Sequence, residues 1–278
     1  MLATLLIVFR EVIEAGLIVG IVMAATKGVP HRGLWVSYGV GAGMIGACLV
    51  AAFAGEIASL FQGSGQEFFD ASILLLAVCM LTWHNVWMAG HGRAMTREMK
   101  TVGAEVKAGE RSLAALGIVV GVAVLREGSE VVLFLYGIAS QGGTSSASML
   151  AGGALGLAAG AAVSALMYFG LLAIPAGRLF SVTSWLITLL AAGMAAQAIL
   201  FIQQAGYLEY LTGTVWDTSW LLSQDSILGR LLHTLIGYND APNGAQLVVY
   251  AATIAAIVAL TRWERARHPR GGAIPTLA

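Results

Sequence analysis

The stretch LATLLIVFREVIEAGLIVGIVMAAT, residues 2–26, is apolar except at Arg10-Glu11-Val12-Ile13-Glu14, which falls near its middle. A second apolar run, residues 113–139, is broken in the same place by Arg126-Glu127-Gly128-Ser129-Glu130. Each run exceeds the roughly 20 residues that a bilayer-spanning helix needs. An ionised side chain at the centre of such a helix costs roughly 2.5–3.5 kcal/mol, so six of them cost on the order of 15–20 kcal/mol before any pairing. That cost has to be offset inside the protein. Pairing at i,i+4 would join Arg10 to Glu14 and Arg126 to Glu130. It leaves four glutamates against two arginines, an excess of two negative charges carried mainly by Glu11 and Glu127. Buried carboxylates without a counter-charge either take up protons or bind a cation, and carboxylate oxygen suits hard cations. The two motifs therefore predict an intramembrane cation site.

Working outward, 58% of the 278 residues are hydrophobic and only 11% are charged, against roughly 25% charged in soluble domains. The fold class expected is an all-α integral membrane protein. Seven segments are apolar enough to span: 2–26, 34–60, 68–90, 113–139, 147–173, 181–204 and 245–262. Leu2–Phe9 has no basic stretch before it and runs into Arg10 and Glu11. That predicts a retained helix, not a cleaved leader. Three helices separate one motif from its copy, so the two motif helices cross in opposite directions. This is the signature of a 3+3 inverted repeat, helices 1–3 against 4–6, with helix 7 outside it, and such designs hold their substrate near the bilayer midplane. The chain is expected to be one permease domain: repeat one about 1–90, a cytoplasmic loop about 91–112, repeat two about 113–204, an external loop about 205–244, helix 7 about 245–262 and a cytoplasmic tail 263–278. Within the external loop, Ser226–Leu235 reads as an amphipathic piece too short to span.

Orientation follows from the basic residues. Lys27, Arg32, Arg93, Arg97, Lys100, Lys107, Arg111, Arg178, Arg262, Arg265, Arg267 and Arg270 fall on one side, twelve of the fifteen. Arg230 is on the other, and Arg10 and Arg126 are inside spans. The amino terminus is expected outside and the carboxyl terminus in the cytoplasm of a cell (inner) membrane, with lipid around the helices. The outer side carries Glu67, Asp70, Glu209, Asp217, Asp225 and Asp240, an acidic field that would gather cations. Glu67 and Asp70, three apart at the outer end of helix 3, are candidate entrance residues.

Other chemistries find little support. A net charge of zero argues against nucleic acid, and two cysteines, Cys48 and Cys79, provide no disulfide framework or thiolate metal site. Both read as small buried residues. His84 is the one histidine of five inside a span, and a lone membrane histidine is more often bonded locally than a ligand. It cannot supply the axial pair of a membrane haem, and no His-Glu-x-x-His is present for an intramembrane zinc protease. No permanent cofactor and no enzymatic activity are expected.

The two motifs resemble the Arg-Glu-Gly-Leu-Glu signatures of the oxidase-dependent iron transporter family, the high-affinity iron permeases, and most closely its EfeU-type bacterial branch. Gln66-Glu67-Phe68, Leu81-Thr82-Trp83 and Gly237-Tyr238-Asn239-Asp240-Ala241-Pro242 resemble family landmarks as well. The resemblance implies seven helices with an external amino terminus and uptake of ferric or ferrous iron. It also implies a periplasmic iron-binding or iron-oxidising partner. By position it makes Glu11, Glu14, Glu127 and Glu130 the iron ligands, with Arg10 and Arg126 supporting them. Val12 stands where the first signature usually has Gly, and Ser129 where the second usually has Leu. The competing transporter reading is a proton-coupled permease for another divalent cation, such as manganese or lead.

Overall fold

The computed structural model describes residues 1–60, 66–140, 145–170 and 176–267. Eight α-helices lie among them: α1 (Leu2–Ala25), α2 (Arg32–Leu60), α3 (Gln66–Ala108), α4 (Ala114–Ser140), α5 (Ser146–Tyr168), α6 (Ala176–Gln204), α7 (Ile227–Ile236) and α8 (Gly244–Arg267). Five of them hold segments long and apolar enough to cross a membrane: Arg32–Ala54, Phe69–His91, Ser146–Tyr168, Phe180–Gln204 and Gly244–Arg267. The chain is a multi-pass membrane protein. Its outward surface agrees, since Phe53, Leu76, Trp83, Leu150, Val182 and Val248 are all exposed, which water would penalise and lipid does not. Cys48 and Cys79 belong to this surface. Both thiols are exposed, contrary to the expectation that they would be buried. An apolar side chain in a spanning helix can satisfy itself against lipid, so hydrophobic context alone does not place it inside.

Two pairs of helices pack backbone to backbone. In the first, α5 lays Gly152, Gly156 and Gly160 against α1, and in the second Gly39 and Gly43 of α2 meet Gly117 and Gly121 of α4. Both are four-residue repeats of small side chains, which let membrane helices approach closely. A methyl group on Gly156 would come within 2.6 Å of the Leu5 carbonyl oxygen, and one on Gly39 within 2.4 Å of the Gly117 oxygen.

Two apolar clusters divide the interior by depth. One joins Ala3 and Ile7 of α1 to Leu74, Ala77 and Leu81 of α3, to Phe134 and Ile138 of α4, and to the α6 run from Ile187 to Ala198. The other joins Ile18 and Val22 of α1 to Val36 of α2, to Met99, Val102 and Val106 of α3, and to Leu116 and Val120 of α4. Residue numbers rise along α1 where they fall along α4, so these two helices run antiparallel. The charged motifs lie in the gap between the clusters.

α3 departs from expectation. The segment read as a loop from about 91 is helical to Ala108, giving one helix of 43 residues. Its residues there are good helix formers. Met99, Val102 and Val106 recur at helical spacing and are buried, while Arg97, Lys100 and Lys107 face outward. Gly103 lets it meet α1 closely, since a methyl group there would overlap the Ala25 side chain. α8 likewise runs to Arg267, beyond the expected 262, and the rest of the tail lies outside the described residues.

The amphipathic piece expected within 205–244 is α7. Ser226 caps it by accepting a hydrogen bond from Gly229 N (2.9 Å), and Gly237 ends it in the left-handed region at φ 70°. The segment that follows ties this loop to α8. Tyr238 donates to the Leu222 carbonyl (2.9 Å) and Asp240 accepts from Gln224 N (2.9 Å). Asn243 and Gln246 cap the start of α8 reciprocally, through Gln246 N to Asn243 Oδ1 (2.9 Å) and Asn243 N to Gln246 Oε1 (3.0 Å).

The backbone contact at Gly156 makes a specific expectation. Gly156→Ala should destabilise the detergent-solubilised protein by about 1–3 kcal/mol through overpacking. Gly41→Ala, which would meet nothing within 4 Å, should be neutral or slightly stabilising. Equal melting shifts for the two variants would contradict the seam.

Candidate metal site

Arg10, Glu11 and Glu14 sit midway along α1, and Arg126, Glu127 and Glu130 midway along α4. Glu11 and Glu14 share one face of their helix, as do Glu127 and Glu130 of theirs. Because α1 and α4 pack antiparallel at this level, the two faces meet. The first cluster ends at Ile7, Leu81 and Phe134 and the second begins at Ile18, Met99 and Val120, so apolar side chains lie on either side along the helix axes. Arg10, Glu11, Glu14 and Glu127 are buried, none more than 4% exposed.

The two arginines act differently. Arg10 divides its guanidinium, with one terminal nitrogen 3.2 Å from Glu11 Oε1 and the other 2.9 Å from Glu14 Oε1. Arg126 is only partly buried, contacts Glu130 Oε1 through Nε at 3.2 Å, and lies 3.9 Å from Glu127 Oε1. Its guanidinium also stacks 4.2 Å from the centre of the Trp87 ring, a cation–π contact that helps hold a charge in a low-dielectric setting. The planar fork is what lets Arg10 serve two carboxylates at once.

A seventh polar group enters from α3. His84 is 2% exposed and turns both ring nitrogens to the carboxylates. Nδ1 lies against Glu130 Oε2, and Nε2 is 3.3 Å from Glu14 Oε2 and 4.0 Å from Glu11 Oε2. One donor atom each from Glu11, His84, Glu127 and Glu130 lies within 4.8 Å of all the others. Donor–metal distances of about 2.0–2.6 Å place opposite ligands about 4–5 Å apart, so this set is of metal-binding dimensions. Glu11 Oε2 and Glu127 Oε2 are buried and accept no hydrogen bond. Buried polar atoms are normally satisfied, and here unsatisfied acceptors converge on one point.

Motif spacing picked out the four glutamates and both arginines, but passed over His84 as locally bonded. The signal available was its being the one histidine inside a span. Asp70 is fourteen residues from His84 on the same helix, about 21 Å along its axis, and is not part of the cluster. The Glu67 side chain lies outside the described residues. A cavity of about 430 Å³ opens off the site, lined by Arg10, Glu14, Glu127, Met95, Met99 and Arg265. It leads toward the ends of α3 and α8 where basic residues collect.

A model of the iron permease FTR1 family matches residues 1–262. The chain belongs to that family. It is 33% identical over 282 residues to proteins named ferrous iron permease EfeU from Shigella sonnei and from Escherichia coli O157:H7, with 98% of each chain covered. The protein of that name from Yersinia pestis is 32% identical over 255 residues, covering 90% of this chain and 89% of its own. No solved structure matches.

Within this iron permease, the two departures from the signatures have local explanations. Val12 packs on Gly160 of α5, where an added methyl group would come within 2.8 Å of its Cβ, so the partner helix provides the room. At the corresponding position of the second motif the sizes are exchanged, and Gly128 receives Ala47 of α2. Ser129 donates to the Leu125 carbonyl at 2.7 Å and does not join the cluster.

The divided guanidinium predicts the effect of a conservative change. Arg10→Lys keeps the charge but has one nitrogen for two carboxylates, so metal affinity should fall about tenfold while the protein still folds. Unchanged affinity by titration calorimetry would show that the fork is dispensable.

Proposed function

We propose that this protein imports iron across the cytoplasmic membrane, binding it at Glu11, Glu14, Glu127 and Glu130 with Arg10 and Arg126 holding the carboxylates in place. The observation that carries this reading is the convergence of buried carboxylate oxygens from both motifs midway along α1 and α4. Iron as the cargo follows from membership of the iron permease family, and the ferrous state from the names of its relatives. The cluster has the right character for such a cargo. Its acceptors can replace hydration oxygens, and its surplus negative charge can offset a divalent cation.

Seven spanning helices fit this reading. α1 and α4, of 24 and 27 residues, differ from the five apolar spans in carrying the motif charges, and those charges turn inward. At 1.5 Å per residue, 24 residues reach about 36 Å, enough for a hydrocarbon core of about 30 Å. The pairing of α1 with α5 and of α2 with α4 is what a 3+3 inverted repeat of α1–α3 and α4–α6 would produce, with α8 outside it. The basic residues orient the amino terminus outward. Iron would arrive from the periplasm, in the company of an iron-binding or iron-oxidising partner, past Glu67 and Asp70. Asp217 in the external loop is held below the ordinary carboxylate range by hydrogen bonds from Ser219, which keeps that surface negative. The cavity on the basic side of the carboxylates is the route onward to the cytoplasm.

Two experiments test this. In proteoliposomes supplied with radiolabelled ferrous iron, Glu→Gln at any of the four positions should reduce uptake at least about tenfold. Losses from α1 and α4 variants should be non-additive, because they empty one shared site. Additive, independent losses would mean separate sites. In a background with Cys48 and Cys79 replaced by serine, Gly213→Cys should react with an impermeant thiol reagent applied to intact spheroplasts and Glu110→Cys should not. The reverse pattern would invert the topology.

A further inference from the structure

His84 belongs to neither motif, comes from a third helix, and is buried like Glu11 and Glu14. Its position is held by the helix around it. The next residue, Asn85, donates from Nδ2 to the Ser184 carbonyl (3.2 Å) and to Thr188 Oγ1 (3.0 Å) on α6, fixing the rotation of α3 at this level. Leu81, one turn earlier, is 1% exposed within the apolar cluster. The imidazole is therefore aimed into the site by packing on both sides. A neutral imidazole has one donor and one acceptor nitrogen, and between two sets of carboxylates at least one nitrogen can offer a lone pair to a cation. With Nδ1 turned to Glu130 Oε2, Nε2 is the nitrogen left to face a cation, and two neighbouring acidic oxygens are available to the same ion, since Glu11 Oε2 and Glu127 Oε2 are buried without hydrogen-bond partners.

We propose that His84 is a ligand to the transported metal, and that its nitrogen is the specificity-determining group of the site. This rests on the reading of the carboxylate cluster as the iron site. Four carboxylates alone would bind hard divalent ions such as manganese, magnesium and calcium by charge and size, with little preference. An imidazole nitrogen favours ions further along the divalent series, and Fe(II) follows Mn(II) in that order. The mixed nitrogen–oxygen set thus separates ferrous iron from abundant hard competitors, which a site built from the motifs alone could not do. One face of the site carries the selective ligand, and the remaining ligands provide charge.

The test uses the full-length protein in detergent under anaerobic conditions, loaded with one equivalent of Fe(II). X-ray absorption at the iron edge should show the multiple-scattering pattern of one imidazole in the wild type; an all-oxygen shell would overturn the proposal without any variant. In competition titrations, His84→Gln should lower the Fe(II)-to-Mn(II) affinity ratio about tenfold, with Mn(II) affinity changing much less. Retained Mn(II) binding also reports that the variant is folded. Equal losses for both metals, or an unchanged ratio, would reduce His84 to a structural role. Glu11→Gln separates this from the underlying reading. Full binding of both metals by that variant would remove the carboxylate site itself. Loss of binding in Glu11→Gln beside an unchanged ratio in His84→Gln would overturn only the inference about His84.

Discussion

Six ionisable side chains and a histidine held midway along membrane helices dominate the energetics of this protein. Nothing in hydrocarbon can solvate them, so the bundle has to turn all of them to one place and supply their partners from within. That requirement sets the mutual depth of α1, α3 and α4. Arg10 has to reach two carboxylates, Arg126 has to lie over Trp87, and His84 has to meet glutamates from both motif helices. The apolar clusters on either side then keep the charges away from lipid.

Close packing makes this arrangement attainable. The α1–α5 and α2–α4 seams bring backbones near enough for an added methyl group to collide with a carbonyl oxygen. Van der Waals contact of that extent is the main attraction available between helices in lipid, where there is no hydrophobic drive to associate. The exchange of sizes at Val12–Gly160 and Gly128–Ala47 keeps both seams filled although the two motifs carry different residues at their third positions.

Much of this is legible in the sequence. Long apolar runs announce helices through length alone, and a charged pentad repeated three helices later announces both the site and the antiparallel crossing of its two carriers. What stayed hidden depends on neighbours distant in sequence. His84 looks solitary in the chain, and meets the carboxylates only through the packing of α3 on α1, α4 and α6. The thiols of Cys48 and Cys79 sit in apolar stretches that give no hint of which face meets lipid. The helical course of residues 91–108 was masked by its charge, which reads as loop until Met99, Val102 and Val106 are seen to pack on α1 and α4. Asp70 shares a helix with the site yet stands too far along it to belong there.

The unbroken length of α3 has a mechanical consequence. Its backbone continues as one helix for 43 residues from the acidic end of the protein to the basic end, so the part beside the carboxylates is mechanically linked to the part beyond them. From His84 to Ala108 is 24 residues, an arm of about 36 Å. A tilt of only about 5° pivoting at His84 would carry the far end through about 3 Å by simple leverage. A rod of this kind converts a small adjustment beside His84 into a displacement wide enough to part or join side chains at the far end of α3.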